Sequence, residues 1–410
     1  MRGSVKFFVL LPFFFLNQLQ NLYGFEKTSV LPKGIRNFTV KQITTSISEK
    51  YNSQGKKEPL AKPLEKDLTF QKIVDKETGT KQLLLKSFLK DKFNLNDSLG
   101  NFLADMKANV AVTVPVLSYG ISDSLTMAIA IPYYQAKVAV SLGFKEDQNA
   151  KDFIAALHSE DYNQTQAARD VAHKVNNAVD GLNQKLLDNN FSTLKNWQGE
   201  GIGDITLATK YRFLNEDFLK CATTNGLTIP SGRVSNTDIL NDLPFGSGTW
   251  DFFTSFILDE HIIPEVFFNQ YFKYTRKTAS NKNMRLATND ESIEVEKDNI
   301  NYKTGDVLNL GTSIQADLSS GWQGGLGYSY EYKFQDRYEI NEISPRKKAE
   351  DNTEQKINHF EARLAYSTVK SFKQKNFPVP LVASLEIKKQ IKSLNVPNKD
   401  LITMDFSIFF

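Results

Sequence analysis

The chain has 410 residues, and its 50 Lys and Arg nearly balance 47 Asp and Glu, so no strong field recruits nucleic acid or an acidic surface. A single cysteine, Cys221, excludes an intramolecular disulfide and any multi-cysteine metal site. Pairing and packing alone must hold the fold.

The N-terminus reads as an export address. Arg2 and Lys6 precede the apolar run FFVLLPFFFL at 7–16, and a polar stretch leads to a cleavage site after Gly24. That run is too short to cross a bilayer as a helix, so residues 1–24 are expected to be a secretory signal. Residues 25–66, rich in Lys, Ser, Thr, Gln and Pro, show no sustained period and read as a periplasmic arm, or as a plug folding into a lumen.

From about residue 109 the chain becomes a series of alternating segments. Leu326, Tyr328, Tyr330, Tyr332 and Phe334 share one face, with Gly327, Ser329, Glu331, Lys333 and Gln335 opposite. The same period of two runs through 109–118, 125–140, 204–213, 218–230, 249–259, 263–275, 306–318, 356–369, 379–391 and 399–410. The last segment carries Ile402, Met404, Phe406, Ile408 and Phe410 on one face to the final residue, which calls for a terminal strand that is paired. Sandwiches and jelly rolls also alternate, but with shorter strands. Segments of this length, with aromatics at their ends, match strands that cross a membrane at a tilt.

The connections sharpen the case. Residues 120–124, 214–217, 259–262 and 319–321 are tight, whereas 141–200, 231–248, 276–305 and 337–355 are long and polar. That alternation predicts short periplasmic turns and long outer loops on an all-β, transmembrane, antiparallel up-and-down barrel spanning 67–410, with about twelve strands. The strand missing from the count is expected within 67–95. Loop 141–200 carries Val171, Val175, Val179, Leu182 and Leu186 at helical spacing, with Ile154 and Leu157 earlier, and reads as a helical extracellular insert.

GEGIGDITLATKYRF (199–213), NGLTIPSG (225–232) and LPFGSGTWDFF (243–253) resemble the outer-membrane barrel family named for the meta-pathway of phenol degradation. The matching positions are Gly201, Gly203, Asp204, Pro230, Gly232, Gly246, Gly248, Trp250 and Asp251, and SYGISDSLTMAIAIPYY (118–134) resembles that family's early hairpin. That family looks related to the transporters of hydrophobic compounds and long-chain fatty acids, so the resemblance implies passage of small, poorly soluble molecules. GEGIGD is not a phosphate loop, because a strand and not a helix follows it.

Face assignment divides the lumen. Ala111, Thr113, Pro115, Ala128, Ala130 and Pro132 are expected to form a small, apolar path. The charged lining is expected from Asp204, Lys210, Arg212, Glu331, Lys333, His359, Glu361, Arg363, Glu386, Lys388 and Asp405. A register that pairs charge sets Glu331, Arg363 and Glu386 in one row and Lys333, Glu361 and Lys388 in the next. This ladder reads either as a structural device that neutralises lumenal charge or as a field that orients polar heads.

No strand presents a serine beside a histidine near the membrane surface, and the histidines, 158, 173, 261 and 359, are scattered. No catalytic residue, metal site or cofactor is expected. The reading is an outer-membrane channel of a Gram-negative-type cell for small hydrophobic or amphipathic compounds. Its expected partners are membrane lipid, such solutes and the barrel-assembly machinery, which would engage the strand ending at Phe410. Alternatives are a barrel-anchored display protein whose loops bind a partner and an ion-conducting porin.

Overall fold

The computed structural model describes residues 26–75, 78–89, 93–157, 166–285 and 297–410. The proposed signal and its cleavage site lie outside them. The wall is a closed antiparallel barrel of twelve crossings. In chain order its strands are β1 (Arg36–Ile47), β2 (Ser98–Ser122), β3 (Leu125–Ala130), β4 (Tyr133–Glu146), β5 (Trp197–Ile202), β6 (Ile205–Asn215) and β7 (Leu219–Ile229). They continue as β8 (Asp251–Ile263), β9 (Val266–Lys277), β10 (Val307–Asp317), β11 (Trp322–Lys333), β12 (Gln355–Ser367), β13 (Leu381–Leu394) and β14 (Leu401–Phe409). β3 with β4, and β5 with β6, are single crossings interrupted at 131–132 and 203–204.

Closure is made by β1, which pairs with β14 from Asn37↔Phe409 to Thr44↔Ile402 and with β2 along its other edge. Arg36 and Phe410 exchange backbone hydrogen bonds at 2.8 and 2.9 Å. Each backbone group left unpaired in lipid costs several kcal/mol, so the C-terminal ladder needs this partner.

The closing strand is not where the sequence placed it. Residues 36–47 lie inside the segment assigned to an arm, and 67–95 holds the helices α1 (Phe70–Val74) and α2 (Gly79–Leu89). The reason is a polarity that inverts in the second half of the strand. β1 turns Gln42, Thr44 and Ser46 outward and buries Ile43 and Ile47 in the lumen, so it does not read as a lipid-facing strand.

Elsewhere the wall follows the expected rule. Leu326 and Tyr328 are exposed on the outer face of β11 while Ser329, Glu331 and Lys333 are buried within. Short turns gather at the end where both Arg36 and Phe410 lie, and the helix-bearing connections 48–97, 147–196 and 334–354 lie at the other. One longer connection, 368–380, stands at the short-turn end.

The register also corrects the apolar path. Val110, Val112 and Val114 point into the lumen with Ile43 and Ile47, so Ala111, Thr113 and Pro115 face outward. Thr113 donates to Gln42 Oε1 at 2.6 Å on that outer face. Both faces of β2 are apolar here, so periodicity could not choose between them. Ala130 and Pro132 are buried on the inner face, and Ala128 shares it.

The long connections cap the mouth. α1 and α2 pack against α3 (Gln148–Leu157) and α4 (Gln166–Asn176) through Phe70, Phe88, Phe153 and Val175. Phe70 and Phe88 meet Phe153 edge-on, with centroids 5.3 and 5.5 Å away. Leu186 of α5 (Ala178–Asp188) instead joins the cluster inside the barrel.

Candidate transport lumen

The lumen has two walls of opposite character. One is apolar: Val110, Val112, Val114, Ala130, Tyr134 and Ala136 line it, and Leu243 and Phe245 fold down on it from the 230–250 connection. The other is charged and is carried by β9 to β14.

On the charged wall, Arg363 stands across from Glu386, and Glu361 across from Lys388. Lys388 Nζ lies 2.9 Å from Glu361 and 3.5 Å from Glu386, and Ser329 donates its hydroxyl to Glu361. Across the closing seam Lys41 lies 3.6 Å from Asp405.

Glu331 and Lys333 do not join those rows. β11 and β12 are registered so that Glu331 faces Ile357, while Glu361 and Arg363 lie over Gly327 and Gly325. The two large side chains of β12 therefore occupy the room that glycines leave in β11. Glu331 accepts from Asn309 Nδ2 at 2.8 Å, and Lys333 reaches toward the mouth, to Asp336 and the Thr353 carbonyl. Lys210 points into the lumen, and Arg212 donates to the Asp123 carbonyl at the short-turn rim.

Asp204 has a different role from a pore charge. The chain bulges at Gly203, whose N–H donates to the Pro132 carbonyl at 2.8 Å, and this turns the Asp204 carboxylate inward. It accepts from Gly232 N at 2.9 Å and from Ser247 N at 2.7 Å. The motif glycines make this clasp possible: a Cβ on Gly203 would lie 2.3 Å from the Tyr134 ring, and one on Gly246 would lie 2.5 Å from Asp204 Oδ1. The clasp seats Phe245 flat on Tyr134, with ring centroids 5.4 Å apart. Arg233 grips Asp242 through two bonds of 2.7 and 2.8 Å and keeps the connection folded inward.

At the other end the chain closes its own lumen. Residues 26–33 enter from the short-turn side before the chain turns back into β1. Thr28 N donates to Asp259 Oδ2 at 2.9 Å, Lys210 Nζ donates to the Lys27 carbonyl at 2.9 Å, and Leu31 N donates to Thr126 Oγ1 at 2.7 Å. A Cβ on Gly120 would lie 2.0 Å from the Pro32 carbonyl, so glycine is required where the segment passes the rim. Sequence reasoning missed Glu26, Thr28, Lys41, Asp259, Lys273 and Lys399. Asp259 and Lys273 were visible in alternating segments, and 26–33 falls in the segment whose alternative reading was a plug folding into the lumen, though no residue in it was singled out.

His359 lies across from Ser329, yet that hydroxyl donates to Glu361, and His359 Nε2 has no hydrogen-bond partner among the described residues. No cluster of three or more potential metal ligands occurs among the described residues. His158 lies outside them.

No family model matches the chain, and no curated protein matches it. Among solved structures, the COG4313 outer membrane channel from Pseudomonas putida F1 is 12% identical over 95% of this chain and 100% of that one, with a TM-score of 0.54. The chain has the closed β-barrel fold of that channel. A Pseudomonas aeruginosa FadL homologue (10% identity; 100% of this chain, 97% of that one) and the Pseudomonas putida toluene transporter TodX (11%; 100% and 96%) score 0.34 and 0.35 and bear on nothing further. In a barrel that follows the rule of short periplasmic turns and long outer loops, the short turns and 26–33 would lie at the periplasmic end and the helical cap outside.

Proposed function

We propose that this barrel is a gated passage carrying small hydrophobic or amphipathic compounds across the outer membrane. The observation that carries this reading is the lumen split lengthwise, with a valine-lined wall along β2 facing a wall of paired charges on β11 to β14. A molecule with an apolar body and a polar end is matched by both walls at once. The charges largely neutralise one another, so no net field selects a simple ion. Closure at both ends by the chain itself, through 26–33 and 230–250, suits a gated route and not a standing aqueous pore.

The path along which a solute moves would run past Val112, Ala130 and Pro132, with Lys210, Glu361, Arg363, Glu386, Lys388 and Asp405 on the facing side. The strand ending at Phe410 is the segment the barrel-assembly machinery would engage.

The test is uptake in Gram-negative cells that lack their general porins, since hydrophobic solutes cross plain phospholipid without help and only a lipopolysaccharide leaflet holds them back. Expression of the chain should speed uptake of toluene and benzyl alcohol and leave a disaccharide unaffected. Equal rates with and without the barrel would refute the reading. If solute binding is instead lost on trimming 145–195 in a barrel that admits nothing, the display alternative holds.

A further inference from the structure

The connection from β13 to β14 buries a lysine whose ammonium has no hydrogen-bond partner among the described residues. Lys399 is 1% exposed, and its backbone N–H donates to Gln390 Oε1 at 2.9 Å. Lys399 lines a cavity of about 50 Å³ in the charged wall. Asn309 Oδ1 and His359 Nε2, both without partners among the described residues, belong to side chains that line the same cavity. A buried ammonium without an acceptor is strongly unfavourable, and orphaned polar atoms converging on one space mark a missing occupant.

The neighbours define its chemistry. Lys388 and Lys273 also line the cavity; Lys388 is bonded to Glu361 and Lys273 stands 4.5 Å over the Phe253 ring, so Lys399 is the lysine there whose ammonium has no hydrogen-bond partner among the described residues. The acids on the lining have partners of their own, Glu331 accepting from Asn309 Nδ2 at 2.8 Å and Glu26 lying 3.9 Å from Lys210, and Glu331 acts on Lys399 only through its charge. The volume suits a few waters or one planar head group. Leu401 lines the cavity and also packs on the apolar cluster that holds Val112 and Ile43.

We propose that this cavity binds the carboxylate of a small amphipathic acid, with Lys399 as its main cation and the apolar body directed past Leu401 onto the valine wall. The inference rests on the lumen being a passage and names one class of solute that it holds in transit. Neutral molecules of the same shape would use the apolar wall without this anchor.

Benzoate and benzamide differ little in shape and wholly in charge. Their binding to the full barrel in lipid nanodiscs, measured by titration calorimetry at pH 7, should favour benzoate by about tenfold or more, as expected of a charge-assisted contact. Lys399→Met should abolish that preference while leaving benzamide binding and toluene uptake intact, and Lys399→Arg should keep most of it. Heat-modifiable gel migration checks assembly, and Lys399→Gln replaces the methionine variant should that fail to assemble. Equal affinities in the native barrel, or a preference that survives loss of the charge, would overturn the site. If benzoate is preferred but toluene uptake is absent, the site stands and the passage reading fails; if toluene crosses and benzoate is not preferred, the reverse holds.

Discussion

Asp204 Oδ2 accepts both the backbone N–H and the hydroxyl of Ser247, at 2.7 and 2.9 Å, and so ties the wall of the barrel to the connection folded into its mouth. Replacing Asp204 by Ala strands the N–H groups of Ser247 and Gly232, each at a cost of about 1–3 kcal/mol when buried, and leaves the Ser247 hydroxyl to the Thr249 carbonyl. The connection should loosen while the wall stays closed. Single-channel recordings on Asp204→Ala should show longer and larger open states, with the native electrophoretic shift of a folded barrel. An unchanged recording would mean that the clasp does not gate.

Gly120 sets a second gate. With a Cβ placed 2.0 Å from the Pro32 carbonyl, Gly120→Ala must push 26–33 off the rim. Uptake of small solutes should rise, and protease should reach residues 26–33 from the short-turn side. Native protection in this variant would contradict the close passage.

The pair Lys388 and Glu361, 2.9 Å apart, shares Lys388 with Glu386. Lys388→Met leaves two inward carboxylates facing each other and should destabilise the barrel by about 3 kcal/mol in urea unfolding. Adding Glu361→Gln should restore part of that loss. A strictly additive double variant would show the pair to be uncoupled.

Burial lowers the pKa of Lys399 from 10.5 to about 8, and Glu331 opposes the shift only in part. Below about pH 8 the folded barrel must carry this buried charge, whereas the unfolded chain carries it freely up to 10.5, so the native protein gains stability as pH rises between those values. Lys399→Met has no such term. The native barrel should therefore melt below the variant at pH 7, and the gap should close by pH 10. A gap independent of pH would show that charge is not its cause.

Most of the wall was legible because its strands separate polar from apolar cleanly, as Tyr328 and Glu331 do on β11. β1 was missed because an apolar lumen sector inverts that contrast: Ile43 and Ile47 turn inward, and Thr44 and Ser46 outward. The faces of β2 were exchanged for the same reason. The register of β11 on β12 depends on where Glu361 and Arg363 find glycines to lie over, which loop length does not encode. Opposed pairs on β12 and β13 were found because the charges alternate in sign along both strands.

The most direct test of a route through the lumen is a reversible lock on its closure at the short-turn end, where Thr28 N and Asp259 Oδ2 lie 2.9 Å apart. Thr28→Cys with Asp259→Cys, in a Cys221→Ser background, should form a disulfide that holds 26–33 in place. Toluene uptake in porin-deficient cells should fall to the level of cells without the barrel on oxidation and return on reduction. Uptake that is identical in the oxidised and reduced states would show that solutes do not pass through the lumen.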